Sequence, residues 1–252
     1  MDKKIKVIFM AKQTPSSIKA LEYIVNTTAI VERAVIRDTD FQLKEICEKH
    51  QIQVCSEDHL LEDSQKGHIA PDYLISFYWK RIAQSVLDIA RIGSINFHPG
   101  PLPEARGSGY HVAILNQWGY WGVTAHYMDA TFDTGEIIEC RHFPIEDNIV
   151  NKDLVLRTHQ ELFALFCDIF DRMMNMEHFQ TQKQGEGMYY SVRELEESKF
   201  ITPEDTTEII DRKIRAFWNP PYSGAQVNIA GKNYTVIDQN ILDWIARRID
   251  EK

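Results

Sequence analysis

The sequence predicts an α/β protein with a Rossmann-like, doubly wound and mostly parallel sheet, followed by a small C-terminal α+β appendage that contains a β-hairpin. Short apolar runs alternate with stretches of helical spacing through the first 98 residues, which is typical of a parallel sheet with crossover helices. This alternation changes after Arg106. Gly185 and Gly187 then interrupt the chain before a polar tail, and this marks the start of the appendage.

The alternation begins at the N-terminus. Thr14 and Pro15 have the character of a helix N-cap and a proline at the first helical position, so they open a helix that runs to residue 26. Further helices are predicted over 40–50 and, from the spacing of its apolar residues, over 81–90. The runs interpreted as buried strands are 6–10, 30–36, 52–55, 73–77 and 92–97.

Two more strands follow Arg106, and we expect them at the edge of the same sheet. They span 122–128 and 137–144, and the loop between them carries Asp133. A short helix at 112–117 precedes these strands, and a long helix with a heavily apolar face follows them from 151 to about 176. The first domain is therefore predicted to comprise residues 1–189.

The appendage is predicted to comprise residues 190–252. Residues 189–203 are polar and are expected to be irregular. A capped helix is predicted to start at Thr206 or Thr207 and to end at Ala216, and it precedes an aromatic and proline-rich segment. Residues 227–229 and 234–237 would form the hairpin.

Composition excludes several classes of function. The 252 residues are 44% hydrophobic and 26% charged with a formal net charge of −9, which argues against a general nucleic-acid or anionic-membrane binder. No apolar run approaches the roughly 20 residues of a membrane span, and the start of the chain lacks the features of a secretory leader. The four cysteines lie far apart, so neither a metal site nor a disulfide framework is expected. Together these features favour the cytoplasm.

Polar side chains stand where one predicted strand breaks. Residues 94–106 read Ser-Ile-Asn-Phe-His-Pro-Gly-Pro-Leu-Pro-Glu-Ala-Arg, so Asn96 and His98 lie two residues apart and share one face of the strand. The prolines and Gly100 then turn the backbone away. An isolated pair of this type is more often a turn cap and an interior histidine. Asp133, in an Asp-Thr-Gly turn, is by itself more typical of an Asx-turn.

The two motifs together resemble a known family. Asn-Phe-His-Pro-Gly-Pro-Leu-Pro-x-x-Arg-Gly, followed by Asp-Thr-Gly-Glu-Ile-Ile, is similar to the signature of the formyltransferases that use N10-formyltetrahydrofolate. Members act on glycinamide ribonucleotide, methionyl-tRNA or nucleotide-linked amino sugars. The resemblance is dense from about residue 73 to 144 and implies that Asn96, His98 and Asp133 are the catalytic residues.

The chemistry of formyl transfer fits these three residues. Asn96 and a protonated His98 can donate hydrogen bonds to the formyl oxygen as it gains negative charge. His98 can also shuttle a proton, and Asp133 would orient its ring and favour its charged form. The sequence leaves open whether His98 or a water bound to Asp133 takes the proton from the attacking amine.

The resemblance also implies binding residues for the folate cosubstrate. The family lays the pterin against the loop after the fourth strand, which here contains Phe77, Tyr78, Trp79 and Lys80, and Asp129 would approach from the other side. The aromatic residues could equally pack at a strand-to-helix turn. Lys80 could bind a phosphate or face solvent.

Acceptor-binding residues are expected in two segments. Arg106, Tyr110 and His111 resemble the family's segment beside the acceptor, where they would contact sugar or pyrophosphate oxygens. Trp218 and Tyr222 lie in a segment that resembles a nucleotide-binding stretch of the nucleotide-sugar enzymes. Aromatic and proline-rich segments also serve to dock an appendage.

The composition of the C-terminal segment favours some members of the family over others. Methionyl-tRNA formyltransferase has a larger and basic C-terminal domain, whereas residues 195–252 here are short and rich in Asp and Glu. The resemblance therefore favours a dTDP-linked amino sugar, first dTDP-4-amino-4,6-dideoxyglucose and then the 3-amino isomers, whose product would feed surface polysaccharide such as O-antigen. A homodimer is expected from the family. The remaining alternatives are methionyl-tRNA formyltransferase and, after it, a non-catalytic module that binds folate or a nucleotide sugar.

Overall fold

A computed structural model describes residues 4–78, 80–107 and 109–250. The strands are β1 (Lys6–Ala11), β2 (Ile30–Val35), β3 (Tyr73–Phe77), β4 (Gly93–His98), β5 (Arg106–Gly107), β6 (Tyr120–Tyr127), β7 (Ile137–Pro144), β8 (Tyr189–Tyr190), β9 (Gln226–Ile229) and β10 (Lys232–Thr235). The helices are α1 (Pro15–Val25), α2 (Phe41–Lys49), α3 (Glu57–Gln65), α4 (Gln84–Leu87), α5 (Tyr110–Leu115), α6 (Asn151–Met174), α7 (Val192–Ser198), α8 (Thr207–Phe217) and α9 (Gln239–Asp250).

Six strands form the central sheet in the order β2-β1-β3-β4-β6-β7. β1 pairs in parallel with β2 and β3, and β3 pairs in parallel with β4, whereas β6 runs antiparallel to β4. All five residues of β3 are buried, which explains why it reads as a continuous apolar run rather than an alternating one. The predicted mostly parallel sheet, with two later strands at its edge, is confirmed.

The first crossover follows the sequence signals closely. The Thr14 side chain accepts a hydrogen bond from the Ser17 backbone N–H, and the Ser17 hydroxyl reaches back to the Thr14 backbone N–H. Pro15 occupies the first turn, where its missing N–H costs nothing. The predicted N-cap is confirmed, and the helix ends one residue earlier than predicted.

Two predicted elements are shorter in the structure. Residues 52–55 form only an isolated bridge between Val54 and Ala34, because the apolar run is too short to support a ladder. The helix predicted over 81–90 is reduced to α4, in which Val86, one of the residues of the predicted apolar spacing, is buried. α3 was missed because its sequence is mostly polar; Ser56 caps it.

Aromatic packing fixes the orientation of β4. The Phe97 ring stacks on Phe77 with centroids 5.1 Å apart and meets Phe166 of α6 edge-on at the same distance. Since side chains alternate along a strand, anchoring Phe97 in this cluster sends Asn96 and His98 to the opposite face of the sheet. The core therefore positions the polar pair.

The chain divides into two compact units. The first contains Met1–Arg106, Gly122–Arg141 and Thr158–Gly187, and the second contains Gly107–Trp121, His142–Arg157 and Met188–Lys252. The predicted appendage, 190–252, lies wholly within the second unit, which also takes two earlier segments. No helix among residues 4–78, 80–107 and 109–250 is long and apolar enough to cross a membrane.

The second unit has a core of its own, formed by Val150, Ile214, Ala225 and Ile241. The predicted hairpin is confirmed as β9 and β10, displaced by one or two residues. Residues 189–203 are more ordered than expected, because Ser191 and Glu194 form a capping box that starts α7. α9 was not predicted; its Trp244 indole N–H donates to Asp153 at 2.8 Å.

Candidate active site

Asn96 and His98 lie at the carboxyl end of β4, where the structure buries both. They expose 6% and 5% of their surface, and in the antiparallel pairing with β6 they stand opposite His126 and Thr124. Residues opposite each other on one face of a sheet have side chains in contact range. The register of these two strands therefore brings His126 to the predicted amide and imidazole.

A side chain of β6 stabilises the turn after β4 through hydrogen bonds. Thr124 Oγ1 donates to the Gly100 carbonyl at 2.8 Å and accepts from the Leu102 N–H at 3.1 Å. His98 Nε2 lies 2.7 Å from the Ala105 carbonyl oxygen. A side chain at Gly100 would stand 2.9 Å from His98 Nε2, so this position has no room for one. The glycine and the prolines thus shape a turn that holds the imidazole.

Asp133 reaches the pair from the loop between β6 and β7. Its φ of 52° lies in the left-handed region, which Asp tolerates better than most residues. The Asp129 carboxylate ties this loop by accepting hydrogen bonds from the Thr131 N–H at 2.9 Å and the Thr134 hydroxyl at 2.8 Å. Although burial raises the pKa of Asp129, these hydrogen bonds hold it below its ordinary value.

The three predicted catalytic residues and His126 form one buried cluster. His98 Nδ1 lies 3.5 Å from one oxygen of Asp133, and His126 Nε2 lies 3.7 Å from the other. Asn96 Nδ2 lies 3.2 Å from His126 Nε2, and Asp133 exposes 9% of its surface. One carboxylate therefore serves two imidazoles.

A backbone carbonyl defines the tautomer of the His98 ring. Because a carbonyl oxygen only accepts hydrogen bonds, the proton of His98 is on Nε2, which faces Ala105, and Nδ1 faces Asp133. Burial lowers the pKa of His98, an effect that the Asp133 carboxylate opposes. His98 Nδ1 and Asp133 together form a site that can take up one proton.

The cluster combines an amide, an exchangeable proton site and exclusion of water. Amide N–H groups stabilise negative charge on a carbonyl oxygen, and a neutral imidazole beside a carboxylate removes a proton from an attacking nucleophile. In a doubly wound sheet, the carboxyl end of a central strand is where α/β enzymes bind their ligands, and these groups have the chemistry that acyl transfer requires. No group of three or more His, Cys, Asp or Glu that could hold a metal occurs among the described residues.

Comparisons with known proteins agree with this class. The family model for formyl transferase matches residues 38–168. GDP-perosamine N-formyltransferase from Brucella melitensis is 30% identical over 183 residues, which cover 71% of this chain and 69% of that protein. Methionyl-tRNA formyltransferase from Macrococcus caseolyticus is 29% identical over 65% of this chain and 53% of its own length. The chain belongs to the formyl transferase family.

Solved structures share the fold. A 4-N formyltransferase from Francisella tularensis superposes with a TM-score of 0.78 at 18% identity, covering 93% of this chain and 97% of that one. An N-formyltransferase from Helicobacter canadensis, in complex with folinic acid and dTDP-3-aminofucose, gives 0.73 at 23% identity over 90% and 85%. At this level of identity the likeness concerns the fold.

The predicted folate-binding residues have different environments. Phe77 is buried in the aromatic core, as the packing alternative anticipated. Tyr78 is half-buried, its backbone N–H donates to Ser76 Oγ, and burial, with Glu57 nearby, raises its pKa to about 12. Lys80 is exposed, and Trp79 lies outside the described residues.

The two loops predicted to flank the pterin are joined in the structure. The Arg81 guanidinium donates to the carbonyl oxygen of Ala130. Arg81 follows β3, and Ala130 belongs to the loop that Asp129 ties. The arrangement holds the segments after β3 and β6 beside each other, which is where the predicted cofactor-binding residues lie.

The predicted acceptor residues are divided between the two units. Arg106, in the first unit, donates to the Gln184 side chain at 2.9 Å and to the Gly185 carbonyl at 3.0 Å. In the second unit, the His111 ring stacks on Phe217 with centroids 4.8 Å apart, and burial lowers its pKa to about 4. Tyr110 is half-buried, and burial also raises the pKa of its phenol.

Trp218 and Tyr222, also in the second unit, differ in exposure. The Trp218 ring meets Trp244 edge-on at 6.1 Å, whereas Tyr222 exposes 75% of its surface. The Trp218 indole N–H is buried and has no hydrogen-bond partner among the described residues. The Trp218 ring is therefore packed within the second unit, whereas the Tyr222 ring is exposed.

His126 and Gln184 were missed by sequence reasoning. His126 stands two residues after Thr124 on β6, so an alternating face was visible in the sequence, but only the register with β4 shows what that face meets. Gln184 donates to the Gly135 carbonyl at 2.7 Å and accepts from Arg106, and nothing in the polar sequence around it signalled this role.

Gly135 supports the site by close approach to β6. A side chain there would stand 1.9 Å from the Tyr127 carbonyl oxygen, the same atom that lies 2.7 Å from His126 Nδ1. Gly135→Ala is therefore expected to displace both Asp133 and His126 and to lower the free energy of unfolding by about 1–3 kcal/mol. Denaturant unfolding and turnover should both be measured.

A matched glycine provides the control for this variant. Gly119 has no atom within 4 Å of an added side chain, so Gly119→Ala is expected to match the wild type in both measurements. Full stability and full turnover of Gly135→Ala would show that the loop adapts and that this contact does not organise the site.

Proposed function

We propose that the protein transfers the formyl group of N10-formyltetrahydrofolate to the amine of a dTDP-linked amino sugar, with dTDP-4-amino-4,6-dideoxyglucose as the preferred acceptor. The observation that carries the proposal is the buried cluster in which Asp133 lies 3.5 Å from His98, with Asn96 on the same face of the sheet. Membership of the formyl transferase family agrees with it.

The proposed reaction assigns a task to each residue. Asn96 binds the formyl oxygen through its amide N–H and stabilises the charge that develops there when the amine attacks the formyl carbon. His98 Nδ1, with Asp133 beside it, takes the proton that the amine loses. The bond between the formyl carbon and N10 then breaks, and the same proton can return to N10. The imidazole and carboxylate thus restore themselves after each turnover.

Folate binding is supported by an unsatisfied polar atom. Asn96 Oδ1 is buried and has no hydrogen-bond partner among the described residues, which is costly unless a ligand or a rearrangement pairs the amide. The segments that the family resemblance assigns to the pterin lie beside each other through the Arg81 bond to Ala130. A structural neighbour agrees with this proposal, because the Helicobacter canadensis structure contains folinic acid.

Nucleotide binding is supported by a second set of unpaired groups. Both polar atoms of Asn151, which is 1% exposed, and the Trp218 indole N–H have no partner among the described residues. The N–H of Lys152, the residue after Asn151, donates to the Trp218 carbonyl at 2.9 Å. Trp218 therefore lies next to the backbone segment that carries Asn151. Donors and acceptors beside aromatic rings suit a nucleobase, which stacks and hydrogen-bonds along its edge.

The choice of sugar rests on the relatives. The Francisella tularensis neighbour is a 4-N formyltransferase, and the Helicobacter canadensis neighbour holds dTDP-3-aminofucose, whereas the Brucella relative acts on GDP-perosamine. We infer a C4 amine and a thymine base, a cytoplasmic homodimer, and a product that enters surface polysaccharide such as O-antigen. Size-exclusion chromatography with light scattering tests the dimer.

The experiment is a competition among acceptors. The protein is incubated with N10-formyltetrahydrofolate and dTDP-4-amino-4,6-dideoxyglucose, a dTDP-3-amino sugar, GDP-perosamine, glycinamide ribonucleotide or methionyl-tRNA, and formyl addition is followed by mass spectrometry. The highest kcat/KM is expected with the dTDP-4-amino sugar, and dTDP-glucose, which lacks an amine, should remain unmodified. Preference for GDP-perosamine would overturn the base assignment. Transfer to tRNA, glycinamide ribonucleotide or water alone would overturn the proposal.

A further inference from the structure

The two side chains of the proposed proton transfer come from separate segments of the chain. His98 is held by the turn after β4, where its Nε2 lies 2.7 Å from the Ala105 carbonyl oxygen. Asp133 comes from the loop between β6 and β7 and lies 3.5 Å from His98 Nδ1. Displacing a catalytic group by about 1 Å can lower a rate by about 100-fold. The contact therefore depends on what holds the two segments at a fixed separation.

Residues 182–187, which we call the bridging segment, contact both of these segments. Near its start, the Ile137 N–H donates to the Gln182 carbonyl at 2.8 Å, and the Gln182 N–H donates back to the Ile137 carbonyl at 2.9 Å, just beyond the loop between β6 and β7. At its end, a side chain at Gly187 would stand 2.0 Å from the Pro103 carbonyl oxygen. Glycine therefore lets the bridging segment pack against the turn after β4.

Gln184 lies in the middle of the bridging segment and joins both sides through one amide. Its Nε2 donates to the Gly135 carbonyl at 2.7 Å, and its Oε1 accepts from Arg106 Nη2 at 2.9 Å and from Arg106 Nε at 3.2 Å. Gly135 stands two residues after Asp133 in the loop. Arg106 directly follows the residue whose carbonyl holds the His98 ring. A single side chain thus connects the loop that carries the carboxylate with the turn that carries the imidazole.

The partners of Gln184 settle the orientation of its amide. A guanidinium group only donates hydrogen bonds and a carbonyl oxygen only accepts them, so Oε1 must face Arg106 and the NH2 group must face Gly135. Neither contact changes with pH near neutrality, because Arg stays protonated and the other two groups do not titrate. Arg106 Nη2 also donates to the Gly185 carbonyl at 3.0 Å, within the same bridging segment. The link is therefore anchored at both of its ends.

We propose that Gln184 is a positioning residue that keeps Asp133 within reach of His98 by tying together the segments that carry them. Gln184 acts through Gly135 and Arg106 and not on the reacting atoms. Hydrogen bonds of this kind hold catalytic side chains to the tolerance of about 0.5 Å that a reaction requires. The effect on turnover rests on the proposed formyl transfer, whereas the link itself belongs to the protein and can be measured without an acceptor.

The kinetic test compares two substitutions of Gln184. Gln184→Met has nearly the same length but forms neither hydrogen bond, so kcat is expected to fall about 10- to 100-fold. Gln184→Glu can still accept from Arg106 but sets a carboxylate oxygen against the Gly135 carbonyl, so kcat should fall here too. Wild-type kcat in either variant would overturn the inference. A rise confined to KM for the nucleotide sugar would also overturn it, since Gln184 would then serve only Arg106 at the acceptor.

A glutamine two residues away provides the matched control. The Gln182 side chain is exposed, and the residue pairs with Ile137 through backbone groups. Gln182→Met is therefore expected to keep the kcat, the KM and the thermal unfolding midpoint of the wild type. An equal loss of kcat in Gln182→Met and Gln184→Met would show that methionine perturbs the segment as a whole, and this would overturn the inference. Kinetics measured well below the unfolding midpoint of each variant separate a loss of positioning from a loss of folded protein.

Non-additivity tests whether Gln184 acts through Asp133. If it does, adding Gln184→Met to Asp133→Asn should lower kcat by less than about threefold, because the carboxylate that Gln184 positions is already gone. Full multiplication of the two losses would overturn the inference.

The separation itself can be measured without turnover. Crystal structures of the wild type, Gln182→Met and Gln184→Met are expected to show a longer distance between His98 Nδ1 and the Asp133 carboxylate in Gln184→Met alone. An unchanged distance in that variant would overturn the inference even if formyl transfer is found. A longer distance in a protein that formylates none of the tested acceptors would support the link and overturn only the proposed function.

Discussion

His98→Ala is expected to lower kcat by about 10²- to 10⁴-fold while leaving nucleotide-sugar binding nearly unchanged. The loss follows because Nδ1 of His98 faces Asp133 in a buried site, and alanine removes the nitrogen that takes up the proton there. We propose that Trp218 and Asn151 of the second unit bind the nucleotide, so its affinity should not depend on this ring. Steady-state kinetics and calorimetric titration measure the two quantities separately.

A second variant distinguishes proton transfer from support of the turn. His98 also donates to the Ala105 carbonyl at 2.7 Å, and His98→Gln can preserve that hydrogen bond without providing a nitrogen that titrates. Both variants should therefore be nearly inactive if His98 moves the proton. Recovery of activity in His98→Gln would reduce His98 to a support of the turn, and full activity of His98→Ala would remove it from the mechanism. His50→Ala, at an exposed position, serves as the control.

The sequence predicted those residues whose placement depends only on their neighbours along the chain. Asn96 and His98 are presented together because a strand has a period of two and because prolines end it, and both facts are visible within a few residues. Thr14 and Thr206 were found as caps for the same reason, since a capping side chain bonds a backbone group only three residues away.

The parts that escaped prediction depend on long-range pairing. His126 enters the site through the register of β4 with β6, which no local pattern specifies. Arg106 is predicted to contact the acceptor, and no local pattern specifies that its guanidinium also donates to Gln184, 78 residues further along the chain. α9 was missed because its apolar residues pack on a core that also draws on Val150, far upstream.

Asp133→Asn is expected to lower kcat by about 10²- to 10⁴-fold with the fold retained. Asn tolerates the left-handed backbone at this position as Asp does, so the loop should keep its course. The amide has no charge to stabilise the imidazolium that forms when His98 takes the amine proton. Turnover and thermal unfolding measure the two effects, with the exposed Asp58→Asn as the matched control.

The pH profile gives this variant a signed prediction. Burial already lowers the pKa of His98, and Asp133 opposes that effect, so removing the carboxylate should lower the pKa further. The neutral ring is the form that accepts a proton, and it would then persist to more acidic pH. The acid limb of kcat/KM should therefore move to lower pH in Asp133→Asn even as the maximal rate falls. A limb that moves to higher pH, or near-normal turnover, would show that Asp133 does not act on His98.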